Sequence, residues 1–587
     1  MPAVPLEIED DIELVEPAPP AQELLEAAAA EVEPAPPPEH EGTVRRGTRD
    51  RRPPARYLHN MTYAEAKMKH GSLVDEAQAL EAEAFIVREV FDPVHRKDVP
   101  AGRVIIPSKD IYSEKLDAEG KLLRVKGRYV AGGHRQDRSV YDDVSSPTVA
   151  TEAIFINAAL AAKEKRFVVA LDVGTAYLYA HNYFENYMEL NAPFAAAIVK
   201  QNPNWKKFLD TKGKMVVKLK KALYGCIEAA RLWYEHLAEV LGELGFKPNV
   251  YEPCVLNTKM NDEQVTISLH VDDLLVSSVL KQNVDRVIEF LQSKFEKISV
   301  HSGKSLTYLG MLFDFSKEGE VTISMDRYIE EIIAQWNSQV KGAATTPATG
   351  VLFNVDTESA ALSKKERERF HSTVAKLLYI AKRVRPDILT AVTALTTRVQ
   401  DPREADMEKL ARIVRYLKTS MDVKLVLRCD DELTVNSYID ASYGVHSDMK
   451  SHSGSVVSLG TGAVSAASTK QKINTKSSCE AELTAVADKI GKAIWIRNYL
   501  IDQGYEPGPV VLHQDNQATM QLLQKGYPAS DRTRHINIKY FFVKDLIGRN
   551  EVKIVYLETG DMVADGMTKP LQGDLFRRFR AKVQGGM

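Results

Sequence analysis

Two adjacent carboxylates, Asp272 and Asp273, interrupt a β-prone run, Thr266-Ile-Ser-Leu-His-Val-Asp-Asp-Leu-Leu-Val-Ser-Ser278. The apolar residues on either side predict two strands with the acids at the turn between them. Burying such a hairpin is costly, because neighbouring carboxylates repel and raise one another's pKa, whereas a divalent cation keeps both ionised. Taken alone, the pair reads as a magnesium site or as a solvated acidic turn. A third acid weighs toward the metal. The apolar run Phe167-Val-Val-Ala-Leu171 predicts a strand that delivers Asp172 at its C-terminal end. One strand-end acid plus a hairpin pair is what two-metal phosphoryl transfer needs, one ion lowering the pKa of an attacking hydroxyl and the other stabilising a leaving pyrophosphate.

These segments resemble reverse transcriptases. Leu171-Asp-Val-Gly-Thr-Ala-Tyr-Leu178 is similar to the family's first catalytic block, and His270-Val-Asp-Asp273 to its Tyr-x-Asp-Asp box. The flanks resemble the copia-type branch of long-terminal-repeat retrotransposons. Val125-Lys-Gly-Arg-Tyr-Val-Ala-Gly-Gly133, Lys218-Leu-Lys-Lys-Ala-Leu-Tyr-Gly225 with Arg231-Leu-Trp-Tyr234, Tyr308-Leu-Gly310 and Arg385-Pro-Asp-Ile388 follow in that branch's order. The resemblance implies a right-hand polymerase of fingers, palm and thumb. In it Asp172, Asp272 and Asp273 hold two magnesium ions, with manganese as a substitute, and extend a DNA primer on an RNA template with dNTPs.

Lys126 and Arg128 alternate on a predicted strand, so both lie on one face. There they either clamp a triphosphate or line a solvated basic edge. Tyr177 either excludes a 2′-hydroxyl beneath the incoming sugar or fills the core. Two departures from the family pattern stand out. Glu228 replaces the usual Gln and Ala230 the following Pro, while His270 precedes Val-Asp-Asp, where it bonds the primer end or fills the hairpin. A carboxylate beside a triphosphate is repulsive by about 4 kcal/mol per charge pair at ~4 Å and an effective dielectric near 20. The alternatives are therefore a catalytically impaired relic that only binds nucleic acid, or a chain in which ribonuclease H alone persists.

A second carboxylate set lies toward the C-terminus. Asn436-Ser-Tyr-Ile-Asp440 ends a predicted strand with an acid, and 453–465 predicts a hairpin with a Gly-rich turn. Ser477-Ser-Cys-Glu480 predicts a capping box opening a helix that runs to about Leu500, with Glu482 near its start. Val510-Val-Leu-His-Gln-Asp515 and Val563-Ala-Asp565 supply two more acids. Singly, Glu482 reads as a helix-dipole acid and Asp565 as a surface residue. Together, Asp440, Glu482, Asp515 and Asp565 have the layout of a ribonuclease H, in which four acids hold two metals against an RNA phosphodiester. Ser478-Cys-Glu-Ala-Glu-Leu483, Asp515-Asn-Gln517, 532–539 and Ala564-Asp-Gly-Met-Thr-Lys-Pro570 resemble that domain of copia-type elements, which implies an RNA–DNA hybrid as a second substrate. His535 falls in the 532–539 match and reads as structural.

The 587 residues, 44% hydrophobic, suffice for three or four cores, and mixed strand and helix signals predict a multidomain α+β and α/β chain. No apolar window approaches membrane-spanning length. Cys226, Cys254, Cys429 and Cys479 show no paired spacing, which suits a reducing compartment and argues against a zinc module. Net charge is −3, but residues 1–42 hold 12 acids and no Lys or Arg, so the remainder carries 68 acids against 77 bases, an excess that suits a phosphate backbone. The expected order is a disordered tail over 1–60, acidic then basic; a helical lead-in, 61–95; fingers and palm, 96–315; helical thumb and connection, 316–430; and a ribonuclease H-like domain, 431–587. No protease triplet accompanies them. The resemblance further implies a cytoplasmic, particle-associated location, with a nuclear one if Arg45 to Arg56 act as an address. Oligomeric state has no sequence signal.

Overall fold

Val168, Val169, Ala170, Leu171 and Val173 have no polar face to offer solvent, so Phe167–Val173 forms an inner strand, flanked by neighbours on both sides. The computed structural model describes residues 61–116, 122–336, 340–525 and 537–586. The expected tail, 1–60, and His535 lie outside them. The sheet around this strand runs Ile298–Ser302, Phe167–Val173, Asp273–Ser278, Glu263–His270, Val255–Met260, Lys247–Pro248, antiparallel throughout. Its register sets Asp273 opposite both Asp172 and His270. Two helices with amphipathic spacing accompany it, Lys281–Lys294 burying Val284, Val287 and Leu291, and Ala229–Gly242 burying Leu232, Trp233, Leu237, Val240 and Leu241. The helix Thr151–Lys163, buried along Ala153 to Ala162, is internal.

A second sheet joins Phe91–Val94, Met215–Leu219, Tyr187–Leu190, Ile105–Leu116 and Leu122–Ala131. The last two form a long hairpin whose return strand carries Lys126 and Arg128. Tyr63–His70, opened by the Thr62/Glu65 capping box, and Ser72–Val87 make the helical lead-in, though Phe91–Val94 already belongs to this sheet.

The stretch expected to be helical, 316–430, contains helices Asp326–Ala334, Lys364–Ala381, Leu389–Thr396 and Glu404–Thr419, but it is bracketed by strands. Val321–Ser324 and Leu425–Cys429 pair, and Leu425–Cys429 pairs onward with Gly460–Thr461, so one sheet crosses the expected 430/431 boundary. A fourth sheet has the order Ser465–Lys470, His452–Ser458, Asn436–Ser442, Val510–Gln514, Val552–Tyr556, with the last three parallel to one another and the others antiparallel. The 25-residue helix Ser478–Asp502 covers it, two residues longer than expected; Ser477 caps the Glu480 amide, while Glu480 accepts from Lys476 N–H and not from Ser477.

Buried polar contacts tie this C-terminal sheet to the carboxylate-bearing one. Asn157 Oδ1 accepts from Tyr499 hydroxyl (2.7 Å) and Gln503 Nε2 (3.0 Å), and its Nδ2 donates to Ser268 Oγ (3.0 Å). Arg166 donates to Tyr505 hydroxyl, which donates to Glu164. Among the described residues no helix is long and apolar enough to cross a membrane.

The Arg385-Pro-Asp-Ile block has a structural explanation. Arg385 and Asp387, 1% and 3% exposed, form a bidentate pair at 2.9 and 2.8 Å, completed by Ser420, Tyr416 and Gln584. Burial pushes the Asp387 carboxyl up, but the guanidinium and its hydrogen bonds outweigh that and hold it below its ordinary value. Asp387→Ala leaves the guanidinium uncompensated and is expected to cost about 3–5 kcal/mol, read as a lower urea midpoint. A loss under about 1 kcal/mol, the scale of a surface pair, would contradict this.

Candidate functional site: two carboxylate centres

His270 and Asp273 close a two-residue turn of Val271 and Asp272, so the acids do sit at a hairpin tip. Val271 has φ +60°, a conformation that β-branched residues avoid and that the first central position of a type II′ hairpin requires. Val173 N–H donates to Asp272 carbonyl (2.9 Å), binding the turn to the Asp172 strand. Three carboxylates are thereby crowded. Burial, then Asp272, then Asp172 push the Asp273 carboxyl up to about 6. Asp272 is raised too, chiefly by burial, while Arg128 and Lys126 oppose the rise. The structure thus brings the two expected cations to the expected acids.

Tyr177 and a residue the sequence left without a role, Tyr224, complete this centre. Their rings meet edge to face with centroids 4.5 Å apart, and Arg128 lies 5.6 Å over the Tyr224 ring. Asp272 adds to the raised pKa of both phenols, after burial. Glycines make the approach possible. A Cβ on Gly225 would lie 2.2 Å from Ala131 carbonyl, and one on Gly133 would lie 2.0 Å from Gly225 carbonyl. This backbone crossing sets the Arg128 strand against Tyr224. His270 is half-buried, with an unpartnered buried Nδ1, and burial lowers its pKa.

Glu228 is elsewhere in its contacts. Expected as a repulsive charge beside the triphosphate, it is instead 2% exposed and accepts from Gln136 Nε2 (2.9 Å) and Asn186 Nδ2 (2.7 Å). Tyr141 knits the two donors together, accepting from Gln136 and donating to Asn186. Burial raises the Glu228 carboxyl against these hydrogen bonds. This acid is a buried network member, its charge met by two amide donors and its carboxyl raised toward the neutral form.

In the second centre Asp440 lies within strand Asn436–Ser442, two residues short of its end; Glu482 is in the first turns of the long helix; and Asp515 follows Val510–Gln514. One oxygen from each can be chosen so that all lie within 4.8 Å of one another. Glu482 Oε2 is buried without a hydrogen-bond partner, and burial, Asp440 and Asp515 drive its carboxyl strongly upward. A cation held by these oxygens would satisfy that atom, so the donor set fits a divalent metal. Asp565 opens the short helix Asp565–Thr568, and its carboxyl is raised by burial and Asp440. Gly454, paired with Asp440, lets this turn approach, since a Cβ there would meet Met567 Cβ at 2.6 Å. Two further residues escaped the sequence reading. Thr568 hydroxyl donates to Asp440, and Lys569 Nζ lies 2.5 Å from Asp565 Oδ1 and 3.6 Å from Asp440 Oδ2. Both stood in the Thr-Lys-Pro segment next to Asp565 without a signal separating them from surface residues.

Residues 89–349 match the family model "Reverse transcriptase (RNA-dependent DNA polymerase)". The chain is 29% identical over 489 residues to the retrovirus-related Pol polyprotein from transposon RE1 of Arabidopsis thaliana, covering 82% of this chain and 32% of that protein. It is 26% identical over 495 residues to that of transposon TNT 1-94 of Nicotiana tabacum, covering 83% and 36%. The chain thus spans about a third of the length of the curated relatives it matches. A solved foamy viral protease-reverse transcriptase in complex with double-stranded DNA aligns with TM-score 0.47 and 12% identity over 86% of this chain and 72% of that one. Over residues 89–349 the chain is thus similar to the reverse transcriptase family, and over more than four-fifths of its length to the Pol polyproteins of these two plant transposons.

Proposed function

We propose that this chain is an RNA-directed DNA polymerase that extends a DNA primer on an RNA template, and that its C-terminal sheet is a ribonuclease H acting on the resulting hybrid. The carrying observation is the antiparallel register that sets Asp273 against Asp172 with Asp272 in the adjoining turn. On this reading the sheet bearing the three acids is the palm, the sheet with the long hairpin is the fingers, and the helices between 326 and 419 form thumb and connection. The 3-2-1-4-5 strand order of the C-terminal sheet supports its assignment as ribonuclease H-like.

Asp172, Asp272 and Asp273 would hold two magnesium ions, and Asp440, Glu482, Asp515 and Asp565 a second pair. When bound, such ions lower the pKa of the attacking hydroxyl or water and stabilise the departing oxygen. Lys126 and Arg128 bind the dNTP triphosphate by charge-assisted hydrogen bonds. Tyr177, braced by Tyr224, is the floor beneath the sugar. Lys569 offsets the charge of Asp440 and Asp565 while no cation is bound. The burial of Glu228 on two amide donors supports the active enzyme over a relic that only binds nucleic acid.

Primer extension on a primed RNA template with magnesium tests the polymerase. The native chain is expected to incorporate dNTPs, Asp272→Asn to lose at least about 10³-fold in rate, and Glu228→Gln to stay within about threefold. An inert native chain revived by Glu228→Gln would contradict the placement of that residue. Glu482→Gln is expected to abolish hybrid cleavage while extension persists; joint loss of both would contradict two independent centres.

Asp273 also makes a stability prediction. A folded pKa near 6 against an ordinary 3.8 means that its contribution favours the metal-free fold below about pH 4 and is lost as pH rises through 6. At pH 7.5 in chelator, Asp273→Asn is expected to be more stable than the native chain by about 1 kcal/mol, the full shift being discounted for solvent screening. Magnesium should close that gap by raising the native Tm. A less stable variant in chelator would contradict the crowding of acids.

A further inference from the structure

We infer that Trp233 is a positioning residue for the carboxylate hairpin. This inference rests on the polymerase reading of that hairpin. The Trp233 side chain is 1% exposed, and its one polar atom, Nε1, donates to the Val271 carbonyl at 2.6 Å. Val271 is the residue at φ +60°, immediately before Asp272. The peptide that carries this carbonyl also carries the Asp272 amide. Rotating it to the turn geometry that a β-branched residue prefers would turn the carbonyl away from Trp233 and shift Asp272, whose own carbonyl is tied to Val173 N–H beside Asp172. The indole N–H therefore selects the turn conformer that keeps the carboxylates together.

The surroundings make the selection rigid. Trp233 lies on Ala229–Gly242 and packs edge to face on Phe295, at 5.6 Å between centroids. From a second element, the buried Tyr308 hydroxyl donates to the Ser268 carbonyl at 3.2 Å and lies 3.5 Å from the Asp273 carbonyl. One aromatic residue from each of two sequence blocks, Trp233 of Arg231-Leu-Trp-Tyr234 and Tyr308 of Tyr308-Leu-Gly310, is thus spent on a hairpin carbonyl, and neither meets the substrate in this assignment. A Phe at position 233 would fill most of the space and lose the donor. A buried neutral hydrogen bond shifts the ratio of two conformers by about tenfold, so its loss lowers the population of the metal-holding conformer by up to that factor.

The test replaces Trp233 in the full chain by Phe and, to keep the bicyclic shape without the N–H, by 3-benzothienylalanine. Primer extension gives kcat and the KM for dNTP, and electron paramagnetic resonance gives Mn2+ affinity without turnover. The expected result for both replacements is a kcat about tenfold lower, a KM for dNTP within about twofold, and Mn2+ affinity at the polymerase centre about tenfold weaker. In the Val271→Gly background, where φ +60° carries no strain, the penalty of Trp233→Phe should shrink to about twofold. If Trp233→Phe fails to fold, the benzothienyl chain carries the test. An unchanged kcat and Mn2+ affinity in the benzothienyl chain, or an undiminished penalty in the Val271→Gly background, overturns the inference. A native chain that neither extends primers nor binds Mn2+ at this centre overturns the polymerase reading instead.

Discussion

Everything in the N-terminal half depends on one unfavourable contact, the crowding of Asp172, Asp272 and Asp273 at the meeting of two strands. Cross-strand neighbours in an antiparallel pair lie about 4.5–5.5 Å apart, and like charges at that distance repel. The fold holds them there with resources drawn from several elements. The apolar strand cannot shift by one residue without turning its buried side chains over. A β-branched residue accepts a strained turn, and Trp233 and Tyr308 hold the hairpin backbone from two sides. Arg128 and Lys126 supply opposing charge from another sheet. Strain of this kind, opposed by so many contacts, is characteristic of sites whose conformation is used.

The second centre solves the same problem differently. Its acids come from a strand, a helix start, a strand end and a late short helix, and their repulsion is met from within by Thr568 and Lys569. The two centres share a foundation, because the helix that carries Glu482 near its start ends on the first half of the chain through Tyr499 and Gln503. Buried polar networks that are nearly fully satisfied fix one arrangement of the parts they join.

Local pattern carried the reading a long way. The apolar runs before Asp172 and Asp515 became strands, Thr266 to Ser278 became a hairpin with acids at its tip, and the period-two spacing of Lys126 and Arg128 put both cations on the side of the acids. What stayed illegible depends on residues distant in sequence. Glu228 looked like a misplaced charge because its partners, Gln136 and Asn186, lie 92 and 42 residues away. Lys569 and Thr568 gained a role only when Gly454 allowed their turn to settle over Asp440. The strand Leu425–Cys429 was invisible as a link because its partner, Gly460–Thr461, looked like nothing more than a glycine-rich turn.

The most direct measurement is a Mn2+ titration of the full chain by electron paramagnetic resonance, comparing native, Asp172→Asn and Asp440→Asn proteins. The account predicts two separable classes of site, each lost in one variant and retained in the other. Identical binding curves for all three would contradict the claim that these carboxylates are metal centres.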